Sequence, residues 1–124
     1  MTEHDIQCIF MSLVHYQLRD YRLIYAVPNG GARSPVTGAR LKKEGVKRGI
    51  PDVNIDHPRS GYHGMRIEFK VPGGKPTEHQ KKVIADMSAE GYLVRIHTDP
   101  HVAFSELKSY LDGTFVEERN EPRT

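Results

Sequence analysis

The chain has 124 residues, 37% hydrophobic and 27% charged, with a formal net charge of +2. This size implies one domain with one core, and the composition excludes a disordered chain. No apolar run approaches the ~20 residues that a membrane span needs. The single cysteine, Cys8, excludes an internal disulfide, and the N-terminus is polar within five residues, with no small-residue cleavage site after it. The expectation is a cytoplasmic protein without a secretory leader.

Thr2 is a candidate N-cap with Asp5 three residues on. Ile6, Ile9, Phe10, Leu13, Val14 and Leu18 follow at helical spacing, predicting an amphipathic helix to about Arg19. Cys8 falls in this pattern and reads as a packing residue. Glu3 and Gln7 lie at the edge of the apolar face. Glu3 is either a first-turn acid favoured by the helix dipole or an acid facing a cleft.

Leu23 to Val27 reads as a strand, ended by Pro28-Asn29-Gly30-Gly31-Ala32-Arg33. The glycines permit close backbone approach, and Arg33 adds a guanidinium, so this loop is either an ordinary turn or a phosphate contact. Thr37 to Glu44 is a short helix with Gly45 at its C-terminal cap and its long bases mostly on one side. Val53 to Asp56 and Gly64 to Val71 are strands around a turn at residues 57–61. Thr77-x-x-Gln80 is a capping box, and Val83, Ile84 and Met87 give the following helix an apolar stripe. Gly91 ends it. Tyr92 to His97 is a fourth strand. Asp99-Pro100 opens a last helix carrying Val102, Ala103, Leu107, Tyr110 and Leu111.

The order α-β-α-β-β-α-β-α predicts an α/β fold, a mixed sheet flanked by helices. The middle strands form an antiparallel hairpin, and the later strand–helix–strand unit makes a parallel crossover. Residues 1–112 form the single domain, and residues 113–124 form a flexible acidic tail.

Chemistry concentrates between Gly49 and Lys70. Glu68 and Lys70 are two apart and project to one face of their strand, with Ile67 and Phe69 on the other. Hairpin pairing would bring Asp52 beside Glu68. Two carboxylates and an ammonium then share one site, which is either an exposed same-face ion pair or, since oxygen ligands of this kind suit it, a site for a hard cation such as Mg²⁺. Basic residues flank it. Residues 33–48 carry six bases against one acid, and residues 66–82 carry five against two. That is either a solvated basic face or a polyanion-binding surface. The histidines lack zinc-ligand spacing, Gly73-Gly74-Lys75 is not a phosphate-binding loop, and the six tyrosines read as core-edge residues.

The ordered set Glu3-x-x-x-Gln7, Pro28-Asn29-Gly30-Gly31-x-Arg33, Leu41-Lys42-x-x-Gly45-x-x-x-Gly49-x-Pro51-Asp52, Ile67-Glu68-x-Lys70 and Thr77-x-x-Gln80 resembles the virus-type replication–repair nuclease (VRR-NUC) domain. That domain belongs to the PD-(D/E)xK nuclease superfamily, and the resemblance extends to about Thr98. It implies a restriction-endonuclease-like core and the stand-alone form found in bacteriophages, which would place the protein in the host cytoplasm. It assigns Asp52 and Glu68 as metal-binding acids, with the Phe69 backbone carbonyl as a further ligand and Mg²⁺ or Mn²⁺ as cofactor. Lys70 matches the catalytic lysine and Gln80 the glutamine lining the site. Glu3 matches a helix acid reaching the metal directly or through water.

Gln7, Asn29, Gly30, Gly31 and Arg33 match positions of site architecture or DNA contact. Arg40, Lys42, Lys47 and Lys75 join them as DNA-binding candidates from the basic segments. The implied activity is an endonuclease acting as a homodimer on branched or Holliday-junction DNA in replication or repair. The alternative is a non-catalytic nucleic-acid-binding module on the same fold.

Overall fold

The computed structural model describes residues 1–28 and 35–117. Its elements are α1 (Glu3–Gln17), β1 (Ile24–Ala26), α2 (Pro35–Lys43), β2 (Val53–Ile55), β3 (Met65–Phe69), α3 (Glu78–Ala89), β4 (Leu93–His97) and α4 (Pro100–Asp112). This is the predicted order. The capping boxes at Thr2 and Thr77 are both formed. Asp99 accepts hydrogen bonds from the amides of His101 and Val102 ahead of a helix that ends at Gly113 in the left-handed conformation.

The four strands form one sheet in the order β1-β2-β3-β4. β1–β2 and β2–β3 are antiparallel, and β3–β4 is parallel across α3. Alternation along β3 then separates two environments. Met65, Ile67 and Phe69 point into the core with Ile24, Val53, Ile55 and Leu93. α1 covers them with Ile6, Phe10 and Val14, four residues apart, and α4 with Ala103, Phe104, Leu107 and Tyr110. The Phe10 and Phe69 rings meet at 5.2 Å between centroids. This contact holds α1, and so Glu3, across the end of β3.

Four expectations need revision. Tyr110 is a core residue and not a core-edge one. Its hydroxyl donates to the His57 carbonyl at 2.7 Å, and Ser60 donates back to the Tyr110 carbonyl at 2.9 Å. α4 thereby fastens the β2–β3 turn. Cys8 is exposed, because only every fourth position of α1 reaches the sheet. The apolar stripe of α3 is only half-buried, since among the described elements the helix packs against β4 alone. Finally, Phe115 packs on the core and Glu117 pairs with Arg95 at 3.8 Å, so the described part of the acidic tail is docked.

Candidate active site

The β2–β3 register sets the centre of the site. Val53 faces Ile67, so the next antiparallel step places Asp52 opposite Glu68. Asp52 is held from two sides. Its carbonyl accepts from the Val27 amide at 2.8 Å, and its carboxylate accepts from the Phe69 amide at 2.8 Å. β1 and β3 therefore fix both its backbone and its side chain.

Glu68 and Lys70 project together, as the two-residue spacing requires. Glu68 is buried at 5% exposure and Lys70 at 9%. The Lys70 ammonium lies 3.7 Å from Glu68 and 3.8 Å from Glu3. These separations are ion-pair distances beyond hydrogen-bond length. One cation thus serves the acids of β3 and α1 without saturating either.

Gln80 sits at the third position of α3, and its amide works at both ends. Its Oε1 accepts from the Thr77 amide at 2.9 Å, and its Nε2 donates to Glu68 at 3.1 Å. The capping box dictates which end faces which partner, because a backbone N–H needs an acceptor. A glutamate would cap the helix equally well but would bring another negative charge to Glu68.

The charges are unbalanced. Burial, followed by the Asp52 carboxylate, pushes the Glu68 pKa up to about 7, against a smaller opposing pull from Lys70. Burial also raises Asp52, with the Phe69 amide opposing it and Glu3 adding to it. The geometry holds two acids where both resist ionisation, a recurrent property of reactive centres.

These groups line a cleft of about 760 Å³ formed by Glu3, His4, Gln7, Ala26, Val27, Pro28, Asp52, Glu68, Lys70 and Gln80. Of the two readings of Glu3, the structure favours the cleft-facing one, and Gln7 joins it. His4 was not anticipated. It is one residue past Glu3 on α1, and its position relative to Gln7 was the only available signal. Asn29, Gly30, Gly31 and Arg33 lie outside the described residues.

Lys42 and Lys47 line a separate cavity of about 570 Å³ with Gly38, Leu41, Val46, Arg48 and His79. Arg40 lies elsewhere on α2, paired with Glu44 at 3.1 Å, and lines a depression with Lys43. The bases of α2 are thus distributed over two surfaces. Lys75 is exposed and lines neither the cleft nor this cavity.

Among the described residues, no three His, Cys, Asp or Glu side chains form a group that could hold a metal ion. The cleft offers two adjacent carboxylates, with Glu3 drawn toward Lys70. Hard oxygen donors in this number suit Mg²⁺, which commonly takes one or two carboxylates and completes its shell with water and substrate phosphate. Divalent charge there would also offset the burial and repulsion that raise both acids.

No family model matches the chain, and no curated protein matches it. Among solved structures, one described as a VRR_NUC domain protein superposes with a TM-score of 0.78 at 29% sequence identity, covering 91% of this chain and 90% of that one. The match agrees with the predicted α/β fold, a mixed four-stranded sheet flanked by helices. The chain is thus similar in fold and sequence to a VRR-NUC domain over nine-tenths of its length.

Proposed function

We propose that this domain is a metal-dependent DNA endonuclease. The observation that carries this reading is the convergence of Asp52, Glu68, Lys70, Gln80 and Glu3, from the ends of two strands and from two helices, in one cleft. Asp52, Glu68 and the Phe69 carbonyl would hold Mg²⁺ or Mn²⁺, with Glu3 contributing through water. When bound, the cation supplies Lewis-acid polarisation of a phosphoryl oxygen and a lowered pKa for water. The chain's own groups do the rest. The Phe69 amide and Gln80 keep the two carboxylates oriented. Lys70 offsets negative charge developing on the phosphate. Hydrolysis forms a bond from water oxygen to phosphorus and breaks the P–O3′ bond, leaving a 5′-phosphate and a 3′-hydroxyl.

The cavity beside α2, with Lys42, Lys47 and Arg48, supports a path for the phosphate backbone away from the cleft. One domain of this size grips little duplex, so the reading includes a symmetric homodimer acting on branched or junction DNA. The test is cleavage of labelled duplex, flap and four-way-junction DNA with Mg²⁺, Mn²⁺ or EDTA. Cleavage should require the cation and disappear in Asp52→Ala and Glu68→Ala. Activity surviving either substitution would overturn the assignment. Sedimentation of the free protein tests the dimer.

A further inference from the structure

Asp52 enters the cleft at the end of a short connection, Gly49-Ile50-Pro51. This connection rests on the first turn of α3. The Arg48 carbonyl lies 3.1 Å from His79 Nε2. A carbonyl only accepts, so Nε2 carries the proton and donates. Gly49 has φ +79°, and a Cβ there would fall 2.5 Å from His79 Cδ2 and 3.5 Å from the Gln80 nitrogen. The loop backbone therefore lies against the imidazole and the helix start, an approach and a conformation that glycine alone permits at low cost. Pro51 fixes its own φ and restricts Ile50. Little torsional slack separates the anchored Arg48–Gly49 peptide from Asp52. On the other side, the Val27 amide pins the Asp52 carbonyl at 2.8 Å.

His79 and Gln80 are consecutive. One holds the loop that leads to Asp52, and the other donates to Glu68 at 3.1 Å. We propose that His79 is a positioning residue. Through the Arg48 carbonyl and its packing on Gly49, it sets the spacing of Asp52 and Glu68 by tying both acids to one helical turn. The inference rests on the reading of these acids as the metal-binding pair. His79 also lines the cavity beside α2, and the inference needs no contact between it and the reacting atoms.

Mn²⁺ titration of the metal-free protein, by calorimetry and by the metal-induced rise in thermal midpoint, tests this without relying on activity. His79→Ala should weaken Mn²⁺ binding about tenfold, the effect of losing a group that orients a ligand. His79→Gln keeps an amide donor and should recover most of the affinity. Gly49→Ala, which displaces the imidazole, should resemble His79→Ala. In cleavage assays kcat should fall by more than KM for DNA rises, as expected when lost orientation outweighs lost binding.

Wild-type Mn²⁺ affinity in His79→Ala would overturn the inference while leaving the metal site intact. A lower midpoint in EDTA with an unchanged metal-induced rise would also overturn it, showing a role in stability alone. Failure of the wild type itself to bind Mn²⁺ would overturn the metal assignment, and this inference with it.

Discussion

Two clusters of ionisable groups are built from the same parts on opposite faces of the sheet. In the cleft, Glu68 and Lys70 alternate on β3 and meet Glu3 from α1. On the core-facing side, Arg95 and His97 alternate on β4 and meet Glu106 from α4. There the guanidinium grips Glu106 with two hydrogen bonds of 2.7 and 3.1 Å, and His97 adds a third contact at 2.9 Å. The Glu106 pKa ends below its ordinary value, because the bonds from His97 and Arg95 together outweigh the burial that opposes them. The cleft has more acid than base, ion pairs of 3.7 and 3.8 Å, and a Glu68 pKa of about 7. A structural cluster closes its charges on one another, whereas the cleft leaves two carboxylates under-compensated and open to a cation from outside.

The sharpest way to break this contrast is to neutralise one acid in each cluster. Glu68→Gln should reduce metal-dependent cleavage by about 100-fold or more. The same change should make the metal-free protein more stable at pH 8, by about 1–3 kcal/mol, because it removes a buried carboxylate that resists ionisation. Glu106→Gln should do the reverse, costing about 1–2 kcal/mol by leaving Arg95 and His97 without their anion while cleavage persists. Denaturant unfolding in EDTA, paired with the nuclease assay, reads both. Loss of stability in Glu68→Gln would show that the cleft cluster is structural after all.

Gln80→Glu sharpens the contrast with less disruption. The capping box should survive, so stability should change by less than about 1 kcal/mol. Cleavage should fall by about tenfold, as Glu68 loses a donor and gains a like charge. Unchanged cleavage at neutral pH would show that the Gln80 amide contributes nothing at the site.

The clusters should also respond to pH with opposite sign. Glu68 has a raised folded-state pKa, so without metal it favours folding fully below about 4.5. That contribution declines up to about 7 and is then flat, with an upper limit of about 3 kcal/mol. Glu106 has a depressed folded-state pKa. Its contribution is complete above 4.5 and is lost as pH falls through its folded value. Stability in EDTA, compared between wild type and each glutamine variant from pH 3 to 8, separates the two. A wild-type-minus-Glu68→Gln difference that does not vary with pH would contradict the raised value.

The smallest effect concerns the surface cations. Replacing Lys42 and Lys47 by Ala should weaken DNA binding across all sequences and flatten its salt slope by up to ~0.9 per lost phosphate contact. Arg66 lies within an apparently basic stretch but should not count toward that slope. It pairs with Asp56 at 3.2 Å and stacks over Tyr92 at 4.6 Å.

Arg66 shows the limit of reading charge along a chain. Periodicity and turn signals located the helices and strands of the described residues, because the 3.6- and 2-residue repeats and the caps at Thr2, Thr77 and Asp99 are local properties of the backbone. The same alternation put Glu68 and Lys70 on one face, and a hairpin register brought Asp52 to them. Burial was less legible. Cys8 and the stripe of α3 fit helical patterns, but whether such a face is covered depends on what packs there. Tyr110 looked like one tyrosine among six until α4 met the β2–β3 turn.

Local chemistry in the amino-acid order was sufficient for the elements, the capping boxes and the shared face of Glu68 and Lys70, since each depends on neighbours within a few residues. Tertiary structure alone decided three things. Glu3 turns to the cleft because Phe10 packs on Phe69 and carries α1 across the end of β3. Arg66 and Arg95 are engaged within the protein, by Asp56 and Glu106. His79 meets the backbone that leads to Asp52, thirty-one residues from its partner Arg48. These are long-range contacts, and their energies come from the packing that brings distant segments together.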